Sequence, residues 1–257
     1  MTTETVVIVG GGQAGAQAAV SLRQEGFEGR VVLIGDEPVL PYQRPPLSKT
    51  FLAGELAKER LFIKPAAFYE KINVEHLLGE VVRGIDTIKQ EVSCSSGQGL
   101  HYSHLILATG GRVRLLDCPG ANHPQVHYLR TLGDVEAMQE KFTAGARLVV
   151  IGGGYVGLET AAVALKHGLK VTLLVARPTP LGRVTSPEVG KFFEDVHRQA
   201  GVTLCCNTGV ESIEDVIGCW PRLSGLASGC YLMSSWQSQQ GCPVIMVLLS
   251  MNTGALQ

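Results

Sequence analysis

The sequence predicts an α/β architecture built from two parallel-sheet units, and three observations predict it. A continuous β-branched run, Val6-Val7-Ile8-Val9, leads into a glycine-rich turn, after which small and apolar residues recur at helical spacing through Leu22. The same grammar returns at Leu148-Val149-Val150-Ile151. The two glycine turns start at Gly10 and Gly152, a spacing far too long for a solenoid repeat and suited to two separate domains.

In the first unit the turn reads Gly10-Gly11-Gly12-Gln13-Ala14-Gly15, and a second buried strand, Val31-Val32-Leu33-Ile34, ends at Gly35-Asp36-Glu37. Strand, tight turn, helix and strand make a βαβ element of the usual length of roughly 30 residues. In the second unit Gly152-Gly153-Gly154-Tyr155-Val156-Gly157 opens a helix through His167, followed by a strand from Val171 to Val175. Both turns carry the GxGxxG pattern of a Rossmann-like dinucleotide site. Gly10 and Gly152 permit the tight turn; Gly12 and Gly154 let a pyrophosphate approach the backbone; Gly15 and Gly157 let helix and strand pack closely. The helix N-terminus then offers unpaired N–H groups and a favourable dipole to the phosphates.

Asp36 stands where a carboxylate accepts hydrogen bonds from a ribose 2′-OH. The second unit departs from that pattern. Its strand ends Leu173-Leu174-Val175-Ala176-Arg177, with valine where an acid would mark NAD, and Arg177 is compatible with a 2′-phosphate.

Composition narrows the class further. The chain has 257 residues, 45% of them apolar, enough for one or two buried cores. Basic and acidic residues nearly cancel, 22 against 23, so no global field steers it to nucleic acid or an anionic membrane. Its last apolar run, Val244 to Leu249, is far shorter than a membrane span, and no leader pattern opens the chain. A cytoplasmic location is therefore expected. The seven cysteines show no zinc-like spacing, which predicts reduced thiols and no metal site.

Four further segments carry a resemblance: Pro41-Tyr42-Gln43-Arg44-Pro45-Pro46-Leu47-Ser48-Lys49, Leu105-Ile106-Leu107-Ala108-Thr109-Gly110, Tyr128-Leu129-Arg130-Thr131, and Gly152 to Glu159. Together they closely resemble the FAD-dependent ferredoxin and rubredoxin reductases of bacterial oxygenase systems, almost without gaps from Val6 to about Glu214. The resemblance implies FAD on the first glycine turn and NADH on the second, with NADPH less favoured. It implies FAD contacts from Ala14, Asp36, Lys49, Val82 and Arg130 beside Gly10, Gly12 and Gly15. Arg44 and Pro46 would shape the loop beside the flavin, and Thr109 and Gly110 would close over FAD. Gly152, Gly154, Tyr155, Gly157 and Glu159 would serve NADH. Lys49 and Glu159 are the implied catalytic pair, the lysine near flavin N5 and the glutamate beside the nicotinamide on the first turn of its helix. The implied partner is a small [2Fe–2S] ferredoxin or a rubredoxin.

The implied organisation is an FAD domain (1–115), an NAD domain (116–214) inserted into an incomplete FAD domain, and a tail (215–257) without resemblance to the family. In that tail only Asp215 and Arg222 carry charge, and nothing matches the family's remaining strands. It reads as truncated and as an out-of-frame or degenerate terminus, so the alternative is an inactive remnant retaining at most nucleotide binding. Disulfide reductases share both glycine turns but need a CxxC or CxxxxC pair beside the flavin, which this sequence lacks. The vicinal Cys205-Cys206 is poorly arranged for that role, because neighbours in a strand face opposite ways.

Overall fold

The computed structural model describes residues 4–215, 221–224 and 243–247. The chain divides into two compact units, one comprising Met1–Arg44 and Ala57–Gly111, the other Pro45–Leu56 and Arg112–Gln257.

The first unit contains β1 (Thr5–Val9), α1 (Gln13–Gln24), β2 (Arg30–Gly35), α2 (Ala66–Lys71), β3 (Val74–Leu78), β4 (Val82–Asp86), β5 (Glu91–Cys94), β6 (Gly99–His101) and β7 (His104–Leu107). Four strands form a parallel sheet in the order β3-β2-β1-β7. Alternate side chains point to opposite faces, and both faces are covered, which is why β1 and β2 read as unbroken apolar runs. Val6, Ile8, Val31 and Leu33 pack under Ala19 and Val20 of α1 and Tyr69 of α2. Val7, Val9, Val32 and Ile34 pack instead on Val92, Cys94 and Leu100. The last three belong to the antiparallel sheet β4-β5-β6, so the second covering layer is a sheet and not a helix.

The second unit contains β8 (Val126–Tyr128), α3 (Leu132–Gln139), β9 (Arg147–Ile151), α4 (Tyr155–Lys166), β10 (Lys170–Leu174), α5 (Pro187–Ala200), β11 (Thr203–Cys205), β12 (Ser212–Asp215), β13 (Pro221–Ser224) and β14 (Pro243–Val247). Five strands pair in parallel in the order β11-β10-β9-β14-β8. Helix α3 starts in a capping box, with Thr131 accepting from the Asp134 N–H and Asp134 accepting from the Thr131 N–H. Helix α5 has proline at its first residue and stops at Gly201, whose φ of 108° closes the last turn.

Three features differ from the sequence expectations. The tail contributes a central strand: β14 lies between β9 and β8, in register from Pro243↔Arg147 to Val247↔Ile151. The family resemblance has already ended there. The segment Pro45–Leu56 belongs to the second unit by its contacts, whereas sequence order placed it with the first. Gln139 Nε2 donates to the Phe51 carbonyl and Lys166 pairs with Glu55, tying the segment to α3 and α4. Finally, Cys205 is disulfide-bonded, against the expectation of seven free thiols, while Cys94, Cys118 and Cys206 are free. The out-of-frame reading of the tail otherwise falls on residues outside those described.

Candidate functional site

Each unit carries one glycine cradle at the point where its sheet order reverses. In the first, β1 has β2 on one side and β7 on the other; in the second, β9 lies between β10 and β14. Ligands of such sheets bind beyond the C-terminal strand ends at this switch point. A Cβ added to Gly10, whose φ is +125°, would lie 2.1 Å from the Ala108 carbonyl oxygen, so no side chain fits there. At Gly15 and Gly157 a Cβ would lie 2.0 Å from the carbonyl oxygens of Gly10 and Gly152 respectively, which fixes how closely α1 and α4 approach their turns. Gly12 and Gly154 are different: an added Cβ meets nothing within 4 Å. These two are the helix N-caps, without side-chain caps, and neither α1 nor α4 has an acid in its first turn. Each cradle therefore presents open N–H groups over space that a phosphate can fill, so the residues present fit the pyrophosphate of a dinucleotide.

Around the first cradle, Ala14 and Asp36 are exposed at the start of α1 and just after β2. Glu37 accepts from the Tyr42 hydroxyl at 2.6 Å and pairs with Arg44 at 2.7 Å, and the Arg44 guanidinium lies over the Tyr42 ring. Tyr42 itself is buried and bridges to Phe62. The Pro-Tyr-x-Arg motif thus builds a clamp that fixes the loop after Asp36. Val82 starts β4 and packs partly on the Val7 and Val32 face of the sheet. Thr109 and Gly110 follow β7, both exposed. The remaining FAD candidates, Pro46, Lys49 and Arg130, fall in the second unit, where the Arg130 N–H donates to the Asp134 carboxylate.

Within the second unit the structure brings Lys49 and Glu159 together. Lys49 Nζ lies 2.9 Å from Glu159 Oε1 and 3.3 Å from the Pro45 carbonyl oxygen. Glu159 is the fifth residue of α4, so the expectation that it sits on the first turn is corrected: Tyr155 starts the helix, and the glutamate lies one turn in. Tyr155 is 55% exposed at the cradle's edge. Ser48, which is not among the residues expected from the sequence, has a buried hydroxyl that donates to Glu159 Oε2 at 2.6 Å. With one carboxylate oxygen on the serine and the other on the ammonium, the glutamate has a fixed orientation. The only sequence signal was that Ser48 belongs to the same motif as Lys49. The pair is not deeply buried, with side chains 48% and 28% exposed.

Among the described residues no cluster of His, Cys, Asp and Glu suits a metal ion, and no helix is long and apolar enough to cross a membrane.

A family model described as pyridine nucleotide-disulphide oxidoreductase matches residues 4–218. The chain belongs to this family. Its members are oxidoreductases that bind FAD and NAD(P)H. Similar curated proteins include rhodocoxin reductase of Rhodococcus erythropolis, 45% identical over 214 residues, covering 83% of this chain and 50% of that protein. Putidaredoxin reductase of Pseudomonas putida is 44% identical over 214 residues, covering 82% and 51%. The solved covalent complex of putidaredoxin reductase with putidaredoxin aligns at a TM-score of 0.86 and 37% identity, over 96% of this chain and 58% of that one. The chain spans about half the length of the curated relatives it matches.

Proposed function

We propose that the chain is the nucleotide-binding part of a flavoprotein reductase that passes electrons from NADH through FAD to a [2Fe–2S] ferredoxin or a rubredoxin of an oxygenase system, in the cytoplasm. The observation that carries this reading is the duplicated cradle, each with an open second glycine at an uncapped helix N-terminus. Similarity to reductases of such carriers, rhodocoxin reductase and putidaredoxin reductase among them, supports the choice of partner.

In this reading the first cradle holds FAD, with Asp36 on the ribose of its adenosine half, and the second holds the nicotinamide dinucleotide. When bound, the isoalloxazine supplies a two-electron acceptor for the nicotinamide hydride and releases electrons one at a time to the iron–sulfur carrier. The chain's own contribution is positional and electrostatic. Ser48 and Lys49 hold the Glu159 carboxylate from both oxygens, and that carboxylate in turn fixes the Lys49 ammonium, which would serve as a hydrogen-bond donor to the bound flavin. Because Glu159 stands on α4, one turn beyond the second cradle, the pair is set by the same helix whose N-terminus would bind the phosphates.

Reconstitution with FAD tests the proposal. A yellow protein whose flavin absorbance bleaches on anaerobic addition of NADH supports it. A protein that stays colourless after reconstitution, yet still binds NADH, overturns it in favour of a nucleotide-binding remnant.

A further inference from the structure

The two cradles share their glycine geometry but differ at the rim that meets the adenine ribose. After β2 the first rim is acidic, with Asp36 exposed and Glu37 behind it. After β10 the second rim has no acid until Glu188, and its first residue is Val175. Val175 is 3% exposed, and its methyl carbons would lie 2.7 and 2.8 Å from a Cβ placed on Gly153, so an apolar side chain abuts the glycine turn. A carboxylate on this rim would accept the ribose 2′-OH and repel a 2′-phosphate; valine does neither.

The loop that follows is held against the cradle. The Val175 N–H donates to the Cys205 carbonyl, and the Val175 carbonyl accepts from Thr208. The Arg177 carbonyl accepts from the Asn207 N–H, and the Leu181 N–H donates to the Gly153 carbonyl at 2.7 Å. These bonds fix the base of Arg177 while its side chain stays exposed, running past Gly182, where its Cδ would lie 3.6 Å from an added Cβ. An arginine anchored at this rim offers a planar, permanently charged donor to a phosphate dianion.

We infer that the second cradle does not discriminate against the 2′-phosphate: it admits NADPH alongside NADH, with Arg177 as the 2′-phosphate ligand and Val175 as the residue that withholds the rejecting carboxylate. This rests on the reading of the second cradle as a nicotinamide-nucleotide site. It is tested by equilibrium titration of the purified chain with NADH and with NADPH, followed by nucleotide fluorescence, which needs no turnover. The expected result is an NADPH Kd no more than about threefold above that for NADH. Arg177→Ala, at an exposed position, should raise the NADPH Kd about tenfold and leave the NADH Kd unchanged. Val175→Glu should shift the ratio towards NADH, with thermal melting used to check that the variant folds.

An NADPH Kd more than about threefold above that of NADH overturns the inference while leaving the site reading intact. So does an Arg177→Ala variant with parental NADPH affinity. Failure of both nucleotides to bind overturns the site reading and the inference with it.

Discussion

Gly154 and Gly157 stand three residues apart in one turn and should fail in opposite ways when each gains a methyl group. In Gly157→Ala the new Cβ would lie 2.0 Å from the Gly152 carbonyl oxygen, where contacts under 3.0 Å are essentially not seen. Relief requires α4 to move off its turn by about 1 Å or more, against a cradle already fixed by the Gly152 N–H bond to the Leu174 carbonyl. Overpacking of this kind costs about 3 kcal/mol at its upper end, and alanine's better helix propensity offsets about 1 kcal/mol, leaving about 2 kcal/mol of net destabilisation. The melting temperature should fall by roughly 4–8 °C. In Gly154→Ala the methyl meets nothing within 4 Å, and the backbone, with φ of −82°, accepts any residue. Stability should change by less than about 0.5 kcal/mol, while NADH affinity falls at least about tenfold because the methyl would occupy the space proposed for the phosphate. Thermal melting and NADH titration of the two variants, side by side, separate packing from binding. A Gly157→Ala protein that melts with the parent, or a Gly154→Ala protein that binds NADH with parental affinity, refutes the division of labour argued for these glycines.

Ser48→Ala removes a hydroxyl held at 2.6 Å on Glu159 and should lower stability by about 1 kcal/mol, measured by urea unfolding; an unchanged midpoint would count against the bond. Glu159→Gln should slow anaerobic flavin bleaching by NADH about tenfold in the reconstituted protein, measured by stopped flow, yet alter stability by less than about 1 kcal/mol because the pair is partly exposed. An unchanged bleaching rate would remove Glu159 from the proposed mechanism. Stability should also fall in mild acid. Burial holds the His76 and His127 imidazoles below their ordinary 6.5, and each has a buried Nε2 without a hydrogen-bond partner among the described residues. The unfolded chain therefore takes up protons that the folded chain resists, so the stability these rings contribute is full above about pH 6.5 and is lost as the pH falls through their lower folded values. Melting temperatures recorded from about pH 7 to about pH 5 should decline, and His76→Gln should flatten part of that decline; a parallel profile in the variant would assign the loss elsewhere.

Much of this protein is written locally. The β-branched runs at Val6 and Leu148, the glycine turns and the helices that follow depend on contacts within a few residues. Strand period, turn sterics and helix starts are therefore legible without knowing what packs on them. The helix boundaries moved by a residue or two, and the turn that Glu159 occupies shifted because the helix begins at Tyr155. The pairing of Lys49 with Glu159 came from a family resemblance, since no local pattern links two residues so distant in sequence.

Tertiary structure alone decided the rest. It assigned Pro45–Leu56 to the second unit, because the Ser48 hydroxyl, the Phe51 carbonyl and the Glu55 carboxylate find partners on α3 and α4. It made Ser48 a buried hydrogen-bond donor, and it inserted β14 between β9 and β8, beyond the point where any motif can be read. It also showed Val175 packed on Gly153 with Arg177 anchored beside it, turning an absent acid into a specific account of the nucleotide rim. The physical reason is the same in each case: a turn or a strand run is specified by neighbours along the chain, whereas a partner across the fold is selected by packing and hydrogen bonding that exist only once the chain has closed on itself.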